Sequence, residues 1–368
     1  MTKNLEELKA LIGLRMCDGI GDISAFKLLY FCGSASAVFE EKRGHLSAIS
    51  GISPNISQLL DNGIDWGRVE KELEFIDKNN INYVSIFDSL YPKNLLSIDC
   101  PPTLLFFRGD ISRLNLAPCI SIVGTRSSTS YGTEAVAAIV NSLKDANINI
   151  ISGLAYGIDI ASHKECLEKH IPTFGVVAHG LKTIYPSLHT EYAKEMVKNG
   201  GGVITEHFSE EIPNRENFPK RNRIIAGISY ATIVIEAKPK SGTLITADLA
   251  LKYNRNVFVL PGRYNDKNSE GCNLFLKNSH AKPILSITSL YDSLGFGKIK
   301  KAPRKAAVLN LSPEEQKIYD VISNCLKLGL DNIAAKTDMK ISNCASVLFN
   351  LEMMGLVKSL PGKAYELA

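Results

Sequence analysis

The sequence predicts a doubly wound α/β domain with a mostly parallel sheet, set between a helical N-terminal unit and a C-terminal winged helix. Three observations predict it. The apolar runs CISIV, INII, FGVVA, ATIVIE and NVFVL recur between residues 117 and 290, separated by stretches long enough for a helix, which is the spacing of right-handed βαβ units. Each run ends in small or turn-forming residues: Gly124-Thr125-Arg126, Ser152-Gly153, His179-Gly180, Ser241-Gly242-Thr243 and Pro261-Gly262. The residues on either side of this region have helical periodicity instead. With 368 residues, 45% hydrophobic and 22% charged, the chain can bury the cores of two or three domains.

In chain order, residues 1–62 read as short apolar-patterned helices around two related turns, Gly19-Ile20-Gly21 and Gly51-Ile52-Ser53. That is the pattern of a tandem helix-hairpin-helix unit, whose glycine turns can bring backbone amides up to a DNA phosphate. Six basic residues stand against seven acidic ones here, so a small helical domain without a ligand is the competing reading. Residues 63–116 read as a connecting segment, with Pro92, Pro101 and Pro102 enforcing extended or turn geometry and LLFFRG (104–109) forming a strand that ends at a turn. The sheet domain is expected over 117–296, with helices at 131–146, 157–170, 189–199 and 242–253. A basic, proline-containing linker follows at 297–310. Residues 311–368 read as three helices and a β-wing, VKSLPGKAYEL.

Composition narrows the chemistry. No apolar run is long enough to span a bilayer, and the polar start MTKNLEELK is unlike a signal peptide, so a cytoplasmic protein with no membrane partner is expected. The eight cysteines are scattered with no CxxC pair, and the seven histidines are equally dispersed; reduced thiols and no metal site follow. The net charge of +4 is too mild to prove nucleic-acid binding, so local placement must decide.

Loops that follow parallel strands emerge at one edge of an open sheet, where ligands bind. Gly124, Thr125, Ser152, Gly153, Gly180, Ser241, Gly242, Thr243 and Gly262 would present backbone amides and hydroxyls there, helped by helix N-termini. The segment FPKRNRIIAG (218–227) crowds Lys220, Arg221 and Arg223 into four residues, with Asn222 between them. A glycine-lined edge beside concentrated positive charge suits phosphates; a solvated surface helix is the alternative. The first loop lacks the G-x-G-x-x-G spacing, Ser152-Gly153 replaces the ribose-binding acid, and no GxxxxGK[ST] occurs. NAD chemistry and P-loop hydrolysis therefore have no support, and no cofactor is expected. Asp159 and His163, four apart on a helix, read as a structural carboxylate–imidazole contact in preference to an acid–base pair. Tyr156 and Tyr185 could stack on bases or simply pack. Glu206 and Glu236 at strand ends organise arginine and backbone donors. No carboxylate cluster suits metal-assisted phosphodiester cleavage, so no catalytic residue is assigned.

Taken in order, SIVGTRSSTSYG, ISGLAYGIDIASH, GLKTIYP, FPKRNRIIAG, VIEAKPKSGTLITADLA and VFVLPGRYNDKNSEGCNLF resemble the DNA-processing protein A family, also called Smf, of bacterial natural transformation. The resemblance implies an extended Rossmann-like domain that binds single-stranded DNA, usually as a homodimer, protects incoming strands and helps load the RecA recombinase. It carries a phosphate-binding arginine onto Arg126 and the basic F-x-x-R-N-R segment onto Phe218 through Arg223. Single-stranded DNA suits this charge arrangement, because it needs a cationic groove and stacking surfaces but no base-edge code. Arg126 can meet a phosphate with two parallel hydrogen bonds.

Two other classes compete. Phosphoribohydrolases that release a base from a nucleoside monophosphate share the framework and a P-G-G-x-G-T-x-x-E motif; here Thr246 stands at the acidic position, where it cannot stabilise a cationic sugar. A winged-helix duplex regulator would need cationic side chains on its recognition helix, and 342–354 has none. The chain departs from the family's pattern at Lys182, at His189 and at Asn278-Ser279-His280-Ala281.

Overall fold

The structure is a computed structural model that describes residues 2–296, 311–323, 328–360 and 362–367. The chain divides into two compact units, Met1–Ile299 and Lys300–Ala368. Nine strands of the first unit form one sheet: β1 (Asn82–Ser85), β2 (Leu104–Gly109), β3 (Cys119–Gly124), β4 (Asn149–Ser152), β5 (Thr173–Val176), β6 (Gly202–Thr205), β7 (Ala231–Ile235), β8 (Asn256–Val259) and β9 (Lys282–Pro283). Their order is β1-β2-β6-β5-β4-β3-β7-β8-β9. From β6 to β9 all neighbours are parallel, whereas β2 runs antiparallel to β6 and β1 to β2.

This is the expected doubly wound, Rossmann-like sheet, and the four expected helices appear at Ser130–Leu143, Ile158–Glu168, Thr190–Lys198 and Gly242–Lys252. Alternate side chains of each strand feed opposite cores. Ile120 and Ile122 of β3 meet Val136, Ile139 and Ile158 on one side, while Val123 meets Ile224, Ile225 and Ala247 on the other. Helices Ser130–Leu143 and Ile158–Glu168 thus cover one face, and Asn217–Ile228, Gly242–Lys252 and Glu270–Asn278 the opposite one. The winding reverses between β3 and β7. Loops leaving those two strands diverge there and open a crevice at the strands' C-terminal ends.

The segment expected to connect, 63–116, contributes more than a connection: a helix, Trp66–Lys78, and the two antiparallel strands β1 and β2. The N-terminal helices share a core with the sheet edge, where Leu11, Leu14 and Leu28 join Leu104, Phe106, Val203 and Phe208. Arg15 ties the layers together by donating to the carbonyls of Leu104 and Glu206. Both expected glycine turns are present, with Gly19 at φ 90° and Gly51 at φ 77°, conformations that a side chain would strain.

In the second unit, helices Pro313–Ser323, Leu330–Thr337 and Ile341–Met353 pack Ile318, Ile322, Ile333, Leu348 and Leu351 together. Strands Leu328–Gly329, Val357–Leu360 and Ala364–Leu367 complete a winged helix, the last pairing with both others. The basic linker expected at 297–310 lies outside the described residues.

Candidate phosphate-binding cleft

The crevice between the β3 and β7 loops is an open cleft of about 240 Å³, lined by Gly124, Thr125 and Arg126 from the first loop and by Lys238, Ser241, Gly242 and Thr243 from the second. Phe218, Arg221 and Asn222 close it from helix Asn217–Ile228. Pro219 sits in that helix's first turn, where the missing N–H breaks no hydrogen bond, so the chain can turn sharply into the helix and set Phe218 at its mouth. The Arg126 guanidinium lies 4.9 Å from the centre of the Phe218 ring and that of Arg221 lies 5.9 Å away. Two cations therefore share one aromatic platform.

The two arginines differ in setting. Arg126 is exposed and makes no ion pair among the described residues. Arg221 is buried, donates to the Val176 carbonyl at the end of β5 and faces the buried carboxylate of Asp159. Desolvation lowers its pKa to about 10, opposed by Asp159 and reinforced by the like charge of Arg126. Burial likewise pushes the Asp159 carboxyl up, with Arg221 pulling it back. Gly153 makes room for this pair: a Cβ there would fall 2.2 Å from an Asp159 oxygen and 2.9 Å from the Arg221 guanidinium.

The opposite wall is a helix N-terminus. Ser241 stands at the N-cap position of Gly242–Lys252 without a side-chain capping bond, and the helix's first amides have no partner within the helix and carry its positive dipole end. Thr243 Oγ1 donates to the Gly124 carbonyl at 2.9 Å and Asn222 Nδ2 to the Gly242 carbonyl at 3.2 Å, which clamps the two loops to the arginine-bearing helix. The Ser241 hydroxyl is buried with no hydrogen-bond partner among the described residues. Gly242 has open space where its side chain would be. An anion fits this combination of unpaired amides, a spare hydroxyl and two guanidinium groups.

The remaining expected residues divide. Lys220 is exposed on the same helix but does not line the cleft. Arg223 turns away from it: its guanidinium pairs with Glu206, lies 3.7 Å from Asp22 and donates to the Cys100 carbonyl, so it ties the N-terminal helices to the sheet. Ser152 is fully buried and donates to the Ile122 carbonyl. Gly124, Gly180 and Gly262 are packed from within, since a Cβ would stand 2.0 Å from Ile235 O, Phe208 O and Ser269 Oγ respectively. Those glycines allow protein to approach protein. Of the loop glycines singled out in the sequence, Gly242 is the one open to a ligand.

Asp159 and His163 have separate partners. His163 is buried, donates through Nε2 to the Gly153 carbonyl and accepts at Nδ1 from Thr173; desolvation lowers its pKa to about 4 and keeps it neutral. The expected contact between the two is replaced by the Asp159–Arg221 pair. Glu236 accepts from the Thr129 amide and hydroxyl and so caps helix Ser130–Leu143, the organising role expected of it. Thr246 bonds the Gly242 carbonyl and leaves no carboxylate at that position. Lys182 pairs with Glu210 on the surface, and His189 is buried against Tyr156 and the Leu154 carbonyl. A smaller hollow adjoins the cleft through Arg126, Phe218 and Arg221 and is walled by the half-exposed rings of Tyr156 and Tyr185. Sequence reasoning did not single out Lys238 or the role of Phe218 as the shared platform; the motif contained both, but their convergence depends on the crossover between β6 and β7.

The DNA recombination-mediator protein A family model matches residues 82–295, and a DprA winged helix domain model matches residues 302–363. The chain belongs to the DNA-processing protein A family. It is 33% identical over 329 residues to Protein Smf of Synechocystis, covering 80% of this chain and 82% of that protein. It is 39% identical over 229 residues to the DNA processing protein DprA of Bacillus subtilis, covering 62% of this chain and 76% of that one. The X-ray structure of DNA processing protein A from Streptococcus pneumoniae superposes with a TM-score of 0.66 at 30% identity, covering 79% of this chain and 97% of that one. DNA processing protein A from Helicobacter pylori, whose structure is described as giving its single-stranded DNA binding mode, superposes with a TM-score of 0.53 at 28% identity, over 58% and 96% of the two chains.

Proposed function

We propose that this chain binds single-stranded DNA by its backbone in the β3–β7 cleft, protects incoming strands and delivers them to the RecA recombinase during transformation and recombination. It acts as a cytoplasmic homodimer without catalysing a reaction. The observation that carries the reading is the Phe218 ring with the guanidinium groups of Arg126 and Arg221 4.9 and 5.9 Å from its centre, in one cleft with the N-terminus of helix Gly242–Lys252. A phosphodiester would lie between the arginines and the helix amides, within reach of the Ser241 hydroxyl. Its flanking bases would meet Phe218 and the rings of Tyr156 and Tyr185. Such a site grips any sequence, because each contact is to a phosphate or a ring face. The Helicobacter relative's single-stranded DNA binding mode supports the substrate class.

The test is affinity for an unstructured oligonucleotide and for duplex of the same length across a salt series. Single strands should bind far more tightly, with affinity falling as salt rises because backbone contacts release counterions. Replacing Arg126 and Lys220 together by alanine should reduce single-strand affinity at least tenfold with the unfolding midpoint unchanged. Equal binding of duplex and single strands, or an unaffected double variant, would refute the site. Addition of RecA to preloaded strands should accelerate its filament formation; no acceleration would separate strand binding from RecA delivery.

A further inference from the structure

The cleft accounts for Arg126, Arg221 and Lys238, but the same sheet edge carries a second group of cations and rings. The loop after β8, residues 261–268, leaves the C-terminal end of its strand beside the cleft. Three contacts fix it there. Tyr131 donates its hydroxyl to the Pro261 carbonyl at 2.8 Å, Asn268 Nδ2 reaches the Ser127 carbonyl at 3.5 Å, and the Gly271 amide donates to the Ala237 carbonyl at 2.8 Å. Gly271 of the helix that follows, Glu270–Asn278, is therefore bonded to the segment carrying Lys238 and Lys240, while the loop itself is bonded to the Arg126 loop and to Tyr131. Within it, Asp266 accepts from the Asn268 amide and the Ser269 hydroxyl while its own amide bonds the Arg263 carbonyl, so the backbone is set by internal bonds.

What this braced loop displays is chemically specific. Tyr264 is 94% exposed, the most exposed of the large hydrophobic side chains among the described residues, and no contact of the loop depends on its ring. Arg263 and Lys267 flank it in sequence, exposed and without ion pairs among the described residues, as are Lys238 and Lys240 across the gap. The one carboxylate inside the loop, Asp266, is occupied with the loop's own donors. A held-out aromatic among unpaired cations is poorly suited to solvent alone, but it matches a flexible polyanion with stackable faces, because each base can lie on the ring while its phosphates meet the cations.

We propose that the rim formed by Arg263, Tyr264 and Lys267, reached from the cleft past Lys238 and Lys240, is a second binding segment for the same single strand, with Tyr264 as its stacking platform. This rests on the reading of the cleft as a single-strand site and extends it along the sheet edge. A short strand fills the cleft; a longer one continues over the β8 loop.

The experiment compares an oligothymidylate of about 6 nucleotides with one of about 20, on the full chain and on a variant combining Arg263→Ala, Tyr264→Ala and Lys267→Ala. The expected result is an unchanged affinity for the short strand and at least a tenfold loss for the long one. The salt dependence for the long strand should also fall, by about 1.4 in the log–log slope for two lost cation–phosphate contacts. Tyr264→Trp should keep the long-strand affinity, with indole fluorescence quenched by the long oligonucleotide and not by the short one. Unchanged affinity for both lengths in the combined variant, as a rim serving a protein partner would give, overturns the proposal. Equal loss for both lengths overturns it as well. If the unaltered chain binds neither strand, the cleft reading itself has failed, a result distinct from a rim that contributes nothing.

Discussion

Arg126 and Arg221 share one aromatic ring, yet their environments assign them different costs. Arg126 is exposed, and its contact with Phe218 is worth about 1 kcal/mol or less at such a site. Arg221 is buried beside a buried carboxylate, and removing one partner of such a pair strands the other. Arg221→Ala should therefore lower stability by about 3–5 kcal/mol, while Arg126→Ala should change it by no more than about 1 kcal/mol. Urea denaturation with unchanged m-values would measure both, and a neutral Arg221→Ala would show that Asp159 does not depend on it. The charge run 220–223 was legible in the sequence, but its division of labour was not. Successive residues on a helix are rotated by about 100°, which turns Arg221 away from Lys220 and from Arg223, whereas Lys220 and Arg223, three apart, project from the same side and part by their partners. Arg221 therefore enters the cleft, Arg223 meets Glu206 and Asp22 under the N-terminal helices, and Lys220 remains in solvent.

At the scale of elements, the loop glycines separate by what each one faces. Gly124 ends β3 directly against β7, and a methyl group there would strike the Ile235 carbonyl and the Ile158 side chain, both held by the central sheet. Gly242 opens a helix into empty cleft. Gly124→Ala should thus cost several kcal/mol, of the order seen for overpacking with backbone displacement. Gly242→Ala should leave the unfolding midpoint within about 0.5 kcal/mol and weaken single-strand binding, because a methyl then occupies the anion's approach. A chain that loses comparable stability from both substitutions would contradict this division. Strand-end glycines could be located from the sequence because apolar runs stop at them. Whether a glycine admits a ligand or a neighbouring strand depends on the order of strands, and local pattern does not carry that order. The same limit hid β9, only two residues long, and the pairing of β1 and β2 onto the far edge, whereas the strand end at Glu206 was read but not its place between β2 and β5.

At the scale of the whole molecule, the proposed activity belongs to the first unit. Every residue of the cleft and rim lies within Met1–Ile299, and the three core clusters described there are built from residues of that unit. The winged helix has its own core, and helix Ile341–Met353 carries no lysine or arginine, so it offers little to a polyanion. The single tryptophan, Trp66, packs against Gly13 and Phe39 in the first unit, which makes its fluorescence a report on that unit alone. A chain ending at residue 299 should accordingly show the same Trp66 midpoint in urea as the full chain and retain single-strand affinity within a few-fold. The full chain, followed by circular dichroism, should add a second transition that Trp66 does not sense, since two units with separate cores need not unfold together. A midpoint that falls when 300–368 is removed would mean that the first unit depends on the second for stability, and binding to the cleft would then have to be tested on the intact chain throughout.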